Sequence, residues 1–499
     1  MRVRHVLGSF KSGGKLTCSA FIAILLGTTL AGVSVNFVFS DIRPARAAGS
    51  EVVLAESAPS LKFDTVTLTN GLQVYLREDH RTPIVAVNVH YRVGSKDEEP
   101  GKNGFAHLFE HMMFQGSKHV PEDTYFKMLE RVGATDINGT TNTDRTNYYE
   151  TVPSNQLELA LWLESDRMGF LLDHVTAASF AGQRDVVKNE RRQNYENTSY
   201  GMVSEFFMRQ LLYPANHPYH RSTIGTPADL DAASLDDVKA FFRTYYIPNN
   251  ASLALVGDFS KTAALALVER YFGPIVRGAE VARRPVAAPA LTAQTVLDVE
   301  SGAVLSRLQL MWPTPALMAD GDADLDFAAH LLANGKSSRL YKSLVHDAQI
   351  AQDVSAAQAS AHLGSRFQIV VTLKPGKLSA DALKLVDREL VRLAAAPAAE
   401  LEPELVRAKR TTSASFWFGL ERVSGTAEMG NSYNDAAGTP NFFAQDYARY
   451  VQASGATVSA AVRKYLPLDR RIVAHVAATP GAPLSGVLKG RHNEAGVPQ

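Results

Sequence analysis

The sequence predicts an α+β protein made of two similar sheet-plus-helix domains. Three observations lead there. The chain has 499 residues, too many for one ordinary hydrophobic core. Short alternating apolar runs are interleaved with longer amphipathic ones, so strands and helices share each domain. Residues 273–293 are rich in Pro and Ala. On either side of them a similar series recurs: strand, loop, helix, more sheet, long helices, a closing strand.

Residues 1–47 read as a signal peptide or an N-terminal anchor rather than as fold. Arg2, Arg4, His5, Lys11 and Lys15 make a basic start, an apolar run extends from about Ala20 to Phe39, and Ala45-Arg46-Ala47 offers an A-x-A cleavage site. The pattern favours cleavage. The apolar run is long for a signal peptide, so a retained anchor is the alternative. Export to a bacterial periplasm is expected, with attachment to the inner membrane if the anchor stays. The single cysteine, Cys18, lies in this leader, so stability of the exported part must come from packing rather than disulfides.

Residues 48–60 read as a flexible lead-in, and 61–272 as the first domain. Val66 and Leu68 alternate with threonines, Asn70-Gly71 signals a hairpin turn, and Leu72, Val74 and Leu76 alternate again. Ile84 to Val93 is a third strand. A charged loop, Lys96 to Gly104, leads into a helix around residue 107, and a second helix runs from about Pro121 to Val132 and stops at Gly133. Asp136 to Thr141 and Thr146 to Val152 form a strand pair. Helices follow at Asn155 to Leu172, Ser179 to about Tyr195, and Leu235 to Tyr246 behind the N-cap Ser234. Ala251 to Val256 is an apolar strand, and Thr262 to Tyr271 a helix. Residues 273–293 are the linker and 294–482 the second domain. Its strands are Leu308 to Met311, Phe367 to Leu373 and a last one at Ile472 to Val476. Its helices are Asp324 to Leu332, Ser338 to Val345 and Ala380 to Leu393. Residues 483–499 are a tail.

Composition is ordinary for a globular protein, with 45% hydrophobic and 20% charged residues. The 51 basic and 51 acidic residues cancel, which argues against a nucleic-acid partner. The chemistry concentrates in Gly104-Phe105-Ala106-His107-Leu108-Phe109-Glu110-His111-Met112-Met113-Phe114. This contains H-x-x-E-H, the inverse of the H-E-x-x-H zinc helix. His107 and His111 would sit roughly 40° apart on one helix face, one turn above the other. Two such imidazoles can share Zn²⁺, which in catalytic sites takes three protein ligands and keeps one open position. Glu110 looks toward the same face, where it could act as general base. An isolated His-x3-His is more often a pair of structural histidines. Here the flanking Phe, Leu and Met residues bury the helix, and buried His and Glu need partners. The counterpart helix in the second half carries only His330, followed by Ala333 and Asn334, so no second metal pair exists and His330 reads as structural.

Taken together, these features resemble the pitrilysin and insulinase superfamily of zinc metallopeptidases (M16), and most of all its half-length bacterial members and the zinc subunits of processing peptidases. The resemblance rests on Asn70-Gly71-Leu72-Gln73-Val74, Gly94-Ser95, Gly104 to His111, Asn138 with Thr146 and Tyr148-Tyr149, Arg184 to Arg191, and Val256-Gly257-Asp258, in that order. It implies two homologous domains forming half of a clamshell, with one Zn²⁺ per chain. The third zinc ligand of the family is a glutamate in a V-V-x-x-E pattern, which falls on Glu190. Without the resemblance, Glu190 reads as a surface carboxylate beside Arg191 and Arg192. A family glutamate that supports the site stands seven residues earlier, where this chain has Gln183; a glutamine keeps hydrogen-bonding capacity but brings no charge.

The resemblance also implies a substrate-holding Arg and Tyr after an S-R-L-Y-like segment. Ser338-Arg339-Leu340-Tyr341 is present, but the two positions read Val345 and Gln352. A second half-length subunit carrying that pair is therefore the expected partner, with a homodimer as the alternative. The implied reaction is hydrolysis of peptides or unfolded polypeptides in a closed chamber. Asn138 is a candidate for holding the substrate backbone or an ordinary turn residue. Two rivals stand: a non-catalytic scaffold like the family's inactive paralogues, which typically lack a ligand or the base, and a purely structural metal.

Overall fold

The computed structural model describes residues 61–283 and 285–494, all within the compact unit Leu54–Gln499. The expected leader and lead-in lie outside the described residues. The first half contributes β1 (Asp64–Thr67), β2 (Gln73–Glu78), β3 (Ile84–Tyr91), helices α1 (Phe105–Met112) and α2 (Tyr125–Arg131), β4 (Thr135–Thr141), β5 (Thr146–Pro153), helices α3 (Leu157–Phe170) and α4 (Ala177–Arg191), and β6 (Ala251–Gly257). The second half contributes β7 (Gln294–Ser301), β8 (Arg307–Thr314), β9 (Ala351–Ala359), β10 (Ser365–Leu373), β11 (Ile472–Ala478) and β12 (Val487–Glu494). Among the described residues between Phe272 and Gln294 there is no helix or strand.

The strands form two six-stranded sheets, ordered β1-β2-β6-β3-β5-β4 and β12-β7-β11-β8-β10-β9. Each contains one parallel pair, β2 with β6 and β7 with β11. Position by position, β7, β11, β8, β10 and β9 repeat β2, β6, β3, β5 and β4, which is the expected duplication. The sixth place is filled from opposite ends of the halves: β1 precedes its sheet and β12 follows its own. This corrects two expectations. Residues 483–499 are not merely a tail, and Ile472 to Val476 is not the last strand, because Val487–Glu494 pairs antiparallel with β7. The segment hides from pattern reading because it is polar, broken by Gly490 and bulged after Leu488. An edge strand exposes one side and tolerates such a sequence.

Strand alternation divides each sheet into two apolar faces. In the first sheet Val85, Val87, Val89, Leu253 and Leu255 join α1 and α3 in the main core, while Ala86, Ala254, Val256 and Tyr75 face the other way. That second face is covered from the other half of the chain. The Val423–Ala437 helix lies across β3 and β6, placing Val423, Ala427 and Tyr433 on it. The exchange is reciprocal, since Tyr200, Val203, Met208 and Tyr213 of the first half cover Leu297, Val299, Met311 and Ala474 of the second sheet. Burying a large apolar side chain contributes about 1.5–3 kcal/mol, so each half depends on the other to cover its sheet.

Sequence periodicity does not reveal the Val423–Ala437 helix. Its buried face mixes Val423, Ala427 and Tyr433 with the polar or small Thr426, Gly430, Asn431 and Asn434. Gly430 is required by contact, because a Cβ there would stand 2.6 Å from Phe63 Cζ. Asn431 donates to the Asn88 carbonyl at 3.0 Å and accepts from Ser252 at 2.7 Å. The expected helix at Ser338 to Val345 is present, with Arg339 and Leu340 α-helical and Tyr341–Asp347 wound as a π-helix.

Candidate metal centre

Helix α1 is built to be held rigidly. All eight of its residues are buried. It starts at Gly104, whose φ of 98° places it in the left-handed region that glycine enters without strain. The Glu98 carboxylate accepts from the Gly104 and Ala106 amides, each at 3.0 Å, satisfying donors that an isolated helix leaves open. Burial pushes the Glu98 carboxyl up to about 8, with the two amides working against that rise. On the core side Phe109 stacks on Phe241 and Tyr246, with centroids 5.2 Å apart in both cases.

The other face presents His107 and His111, whose rings stand edge to face at 4.8 Å. Helix α4 begins behind a Thr176 cap, whose hydroxyl accepts from the Ser179 amide at 3.1 Å. It ends beside the two histidines. Glu190 Oε2 lies 3.5 Å from His107 Nε2 and 3.3 Å from His111 Nε2. The three residues offer ligand atoms within 4.8 Å of one another, the only such group among the described residues. His111 Nε2 and Glu190 Oε2 are buried and have no hydrogen-bond partner among the described residues. Orphaned buried polar atoms of this kind are rare. Two imidazoles and one carboxylate oxygen converging on one point fit the donor set of a catalytic zinc.

Electrostatics agree with that fit. Burial, and then the neighbouring His111, hold His107 below the usual imidazole range, which favours the neutral form that binds metal. Burial raises the Glu190 carboxyl, but the two imidazoles beside it outweigh burial and keep it below the ordinary carboxylate range. Glu190 also sits in the last turn of α4, where a negative charge opposes the helix dipole.

Glu110 is buried on the same helix and lies against β4. A Cβ added at Gly139 would stand 3.1 Å from Glu110 Cγ and 3.0 Å from Phe114, so only glycine lets the strand run this close to the carboxylate. Strand β4 is the outer strand of its sheet and pairs only with β5. The Asn142 amide donates to the Arg145 carbonyl at 3.0 Å. Alternation along the ladder then aims the amide and carbonyl of Gly139 and Thr141 at the free edge.

The remaining sequence candidates sit elsewhere. Asn138 pairs with Tyr149 across the ladder; burial raises the Tyr149 hydroxyl, and the neighbouring Asn138 side chain offsets part of that rise. Gln183 is two turns before Glu190 on α4, and among the described residues it has no hydrogen-bond partner. The Glu190 partner is one that sequence reasoning missed: Asn194 Nδ2 donates to Glu190 Oε1 at 3.2 Å. Its spacing of four from Glu190 was the available signal. Glu98 carried no such signal, since its contact depends on the loop folding back. In the second half, His330 meets Asn334 at 2.9 Å through Nδ1 and belongs to no potential metal-holding group among the described residues.

Comparison with known proteins fits this geometry. The profile described as Insulinase (Peptidase family M16) matches residues 73–224, and that described as Peptidase M16 inactive domain matches residues 232–409. A zinc protease of Helicobacter pylori, PqqE, is 30% identical over 394 residues, covering 76% of this chain and 86% of the relative. The chain belongs to peptidase family M16. A crystal structure of a protease from Helicobacter pylori superposes with a TM-score of 0.77 at 26% identity, covering 84% of this chain and 99% of that one. The periplasmic protease PqqL of Escherichia coli shares the fold, with a TM-score of 0.71 at 19% identity over 85% of this chain, but only 48% of its own length is matched. This M16 chain therefore spans about half the length of PqqL, consistent with the half-length type. The family division also agrees with the site: the His107, His111 and Glu190 group lies in the first half, and the half matched as inactive holds no such group among the described residues.

Proposed function

We propose that this chain is a zinc-dependent endopeptidase acting on peptides or unfolded polypeptides, and the zinc-bearing subunit of a two-subunit enzyme. The observation that carries this reading is the convergence of His107, His111 and Glu190 beside an acid, Glu110, and an open strand edge. Zinc, when bound, polarises the scissile carbonyl and brings the pKa of water to about 7. His107, His111 and Glu190 would hold it. An extended substrate adds to the free edge of β4, where the Gly139 and Thr141 main chain supply its hydrogen bonds. Glu110, next to that edge, takes the proton of the attacking water and passes it to the leaving amine. Asn138 and Tyr149 stiffen the strand that receives the substrate.

The partner is supported by what the second half lacks. Val345 packs against the second core, and Gln352 is exposed on β9, where a substrate-holding Arg and Tyr would be expected. Export is supported by the basic and apolar leader and by the periplasmic location named for the E. coli relative. No helix among the described residues is long and apolar enough to cross a membrane.

The test is cleavage of a mixed peptide pool with and without a chelator, comparing purified chain starting at about Ala48 with preparations that retain co-purifying subunits. Cleavage that the chelator stops and Zn²⁺ restores, confined to preparations holding a second half-length chain, is the expected result. Full activity of the chain alone as a homodimer would contradict the partner. Absence of chelator-sensitive cleavage in both preparations would contradict the peptidase.

A further inference from the structure

We infer that Asn194 is the positioning residue for Glu190, fixing by one hydrogen bond which carboxylate oxygen faces the two histidines. The inference rests on the zinc reading above. Asn194 Nδ2 donates to Glu190 Oε1 at 3.2 Å. That leaves Oε2 as the oxygen turned toward His107 and His111, at 3.5 and 3.3 Å. A carboxylate can rotate about its last bond and offer either oxygen or both. One donor on Oε1 removes that freedom before a metal arrives.

The backbone that presents Asn194 is pinned on both sides. Directly after α4 the chain makes a π-type turn, Arg192–Glu196, a feature that often accompanies functional sites. Arg191 bridges it, with Nε donating to Glu196 Oε1 at 2.9 Å and Nη1 to the Gly225 carbonyl at 2.6 Å. Its guanidinium also lies 4.4 Å from the centre of the Phe206 ring. The Thr198 hydroxyl donates to the Gln193 carbonyl at 2.8 Å. Asn194 therefore has little room to swing away. Glu190 needs such a donor, since its place in the last turn of α4 sets its charge against the helix dipole, and among the described residues its side-chain hydrogen-bond donor is Asn194.

The experiment uses the exported chain with Asn194→Ala and Asn194→Leu; leucine keeps the volume and removes the donor. Zinc affinity is measured by competition with a chromophoric chelator. The visible spectrum of the cobalt-loaded chain reports ligand geometry, and melting of the chelator-treated chain reports the fold. Both variants are expected to bind zinc about 10–100-fold more weakly, with a changed cobalt spectrum and an unchanged metal-free melting temperature. Wild-type zinc affinity in the leucine variant, whatever the melting temperatures, would overturn the inference and leave the zinc reading intact. A wild-type chain that binds no zinc would remove both.

Discussion

Replacing Glu110 by Gln should lower peptide hydrolysis by about 10²–10⁴-fold while zinc stays bound at the wild-type level. The two side chains have the same shape, so the packing of the buried residue against Phe114 and the Gly139 main chain is kept. Neither histidine nor Glu190 is touched. What disappears is the group that accepts and returns the proton. The checks are steady-state turnover and metal content on one preparation. Unchanged turnover would remove Glu110 from the role of base. Loss of the metal together with turnover would show that its role is structural.

The second large effect is on stability. Arg167 is 1% exposed, with its guanidinium over the Phe114 ring at the end of α1. Its Nε donates to Glu164 Oε2 at 2.9 Å, and a second guanidinium nitrogen contacts Glu164 Oε1. The guanidinium centre is 4.2 Å from the Tyr148 ring centroid and 4.5 Å from that of Tyr125. Glu150, equally buried, is pushed well above the usual carboxylate range by burial and then by neighbouring Glu164. Arg167→Met should therefore leave the buried Glu164 without its cationic partner and cost about 3–5 kcal/mol in denaturant unfolding. The double variant Arg167→Met with Glu164→Gln should recover part of that loss. A single variant of wild-type stability would show that the cluster contributes nothing net. The site would feel the change, because Tyr148 and Phe114 flank Gly139 where it meets Glu110.

How far the sequence carries this account depends on how local each feature is. His107, Glu110 and His111 share one helical turn, so spacing alone brings them together. Glu190 stands on another helix, and only a family pattern singled it out; distance along the chain hides the contact. Asn194 remained unseen because an asparagine after a helix has many ordinary uses, and its partner oxygen is defined only in three dimensions. The duplicated sheets were legible from alternation in the central strands. The edge strand β12 was not, since an edge need not be apolar. The reciprocal covering of the two sheets was hidden for a related reason: the Val423–Ala437 helix intersperses Val423, Ala427 and Tyr433 with Gly430, Asn431 and Asn434 on its buried face, and hydropathy reads those last three as loop.

The proposed hydrolysis depends on His107, His111 and Glu190 forming one metal site. The most direct measurement is zinc content per chain in the wild type and in a variant carrying His107→Ala, His111→Ala and Glu190→Ala. The expected result is about one equivalent in the wild type, as a single complete site requires, and none in the variant. Equal zinc in both would place the metal elsewhere and contradict the account.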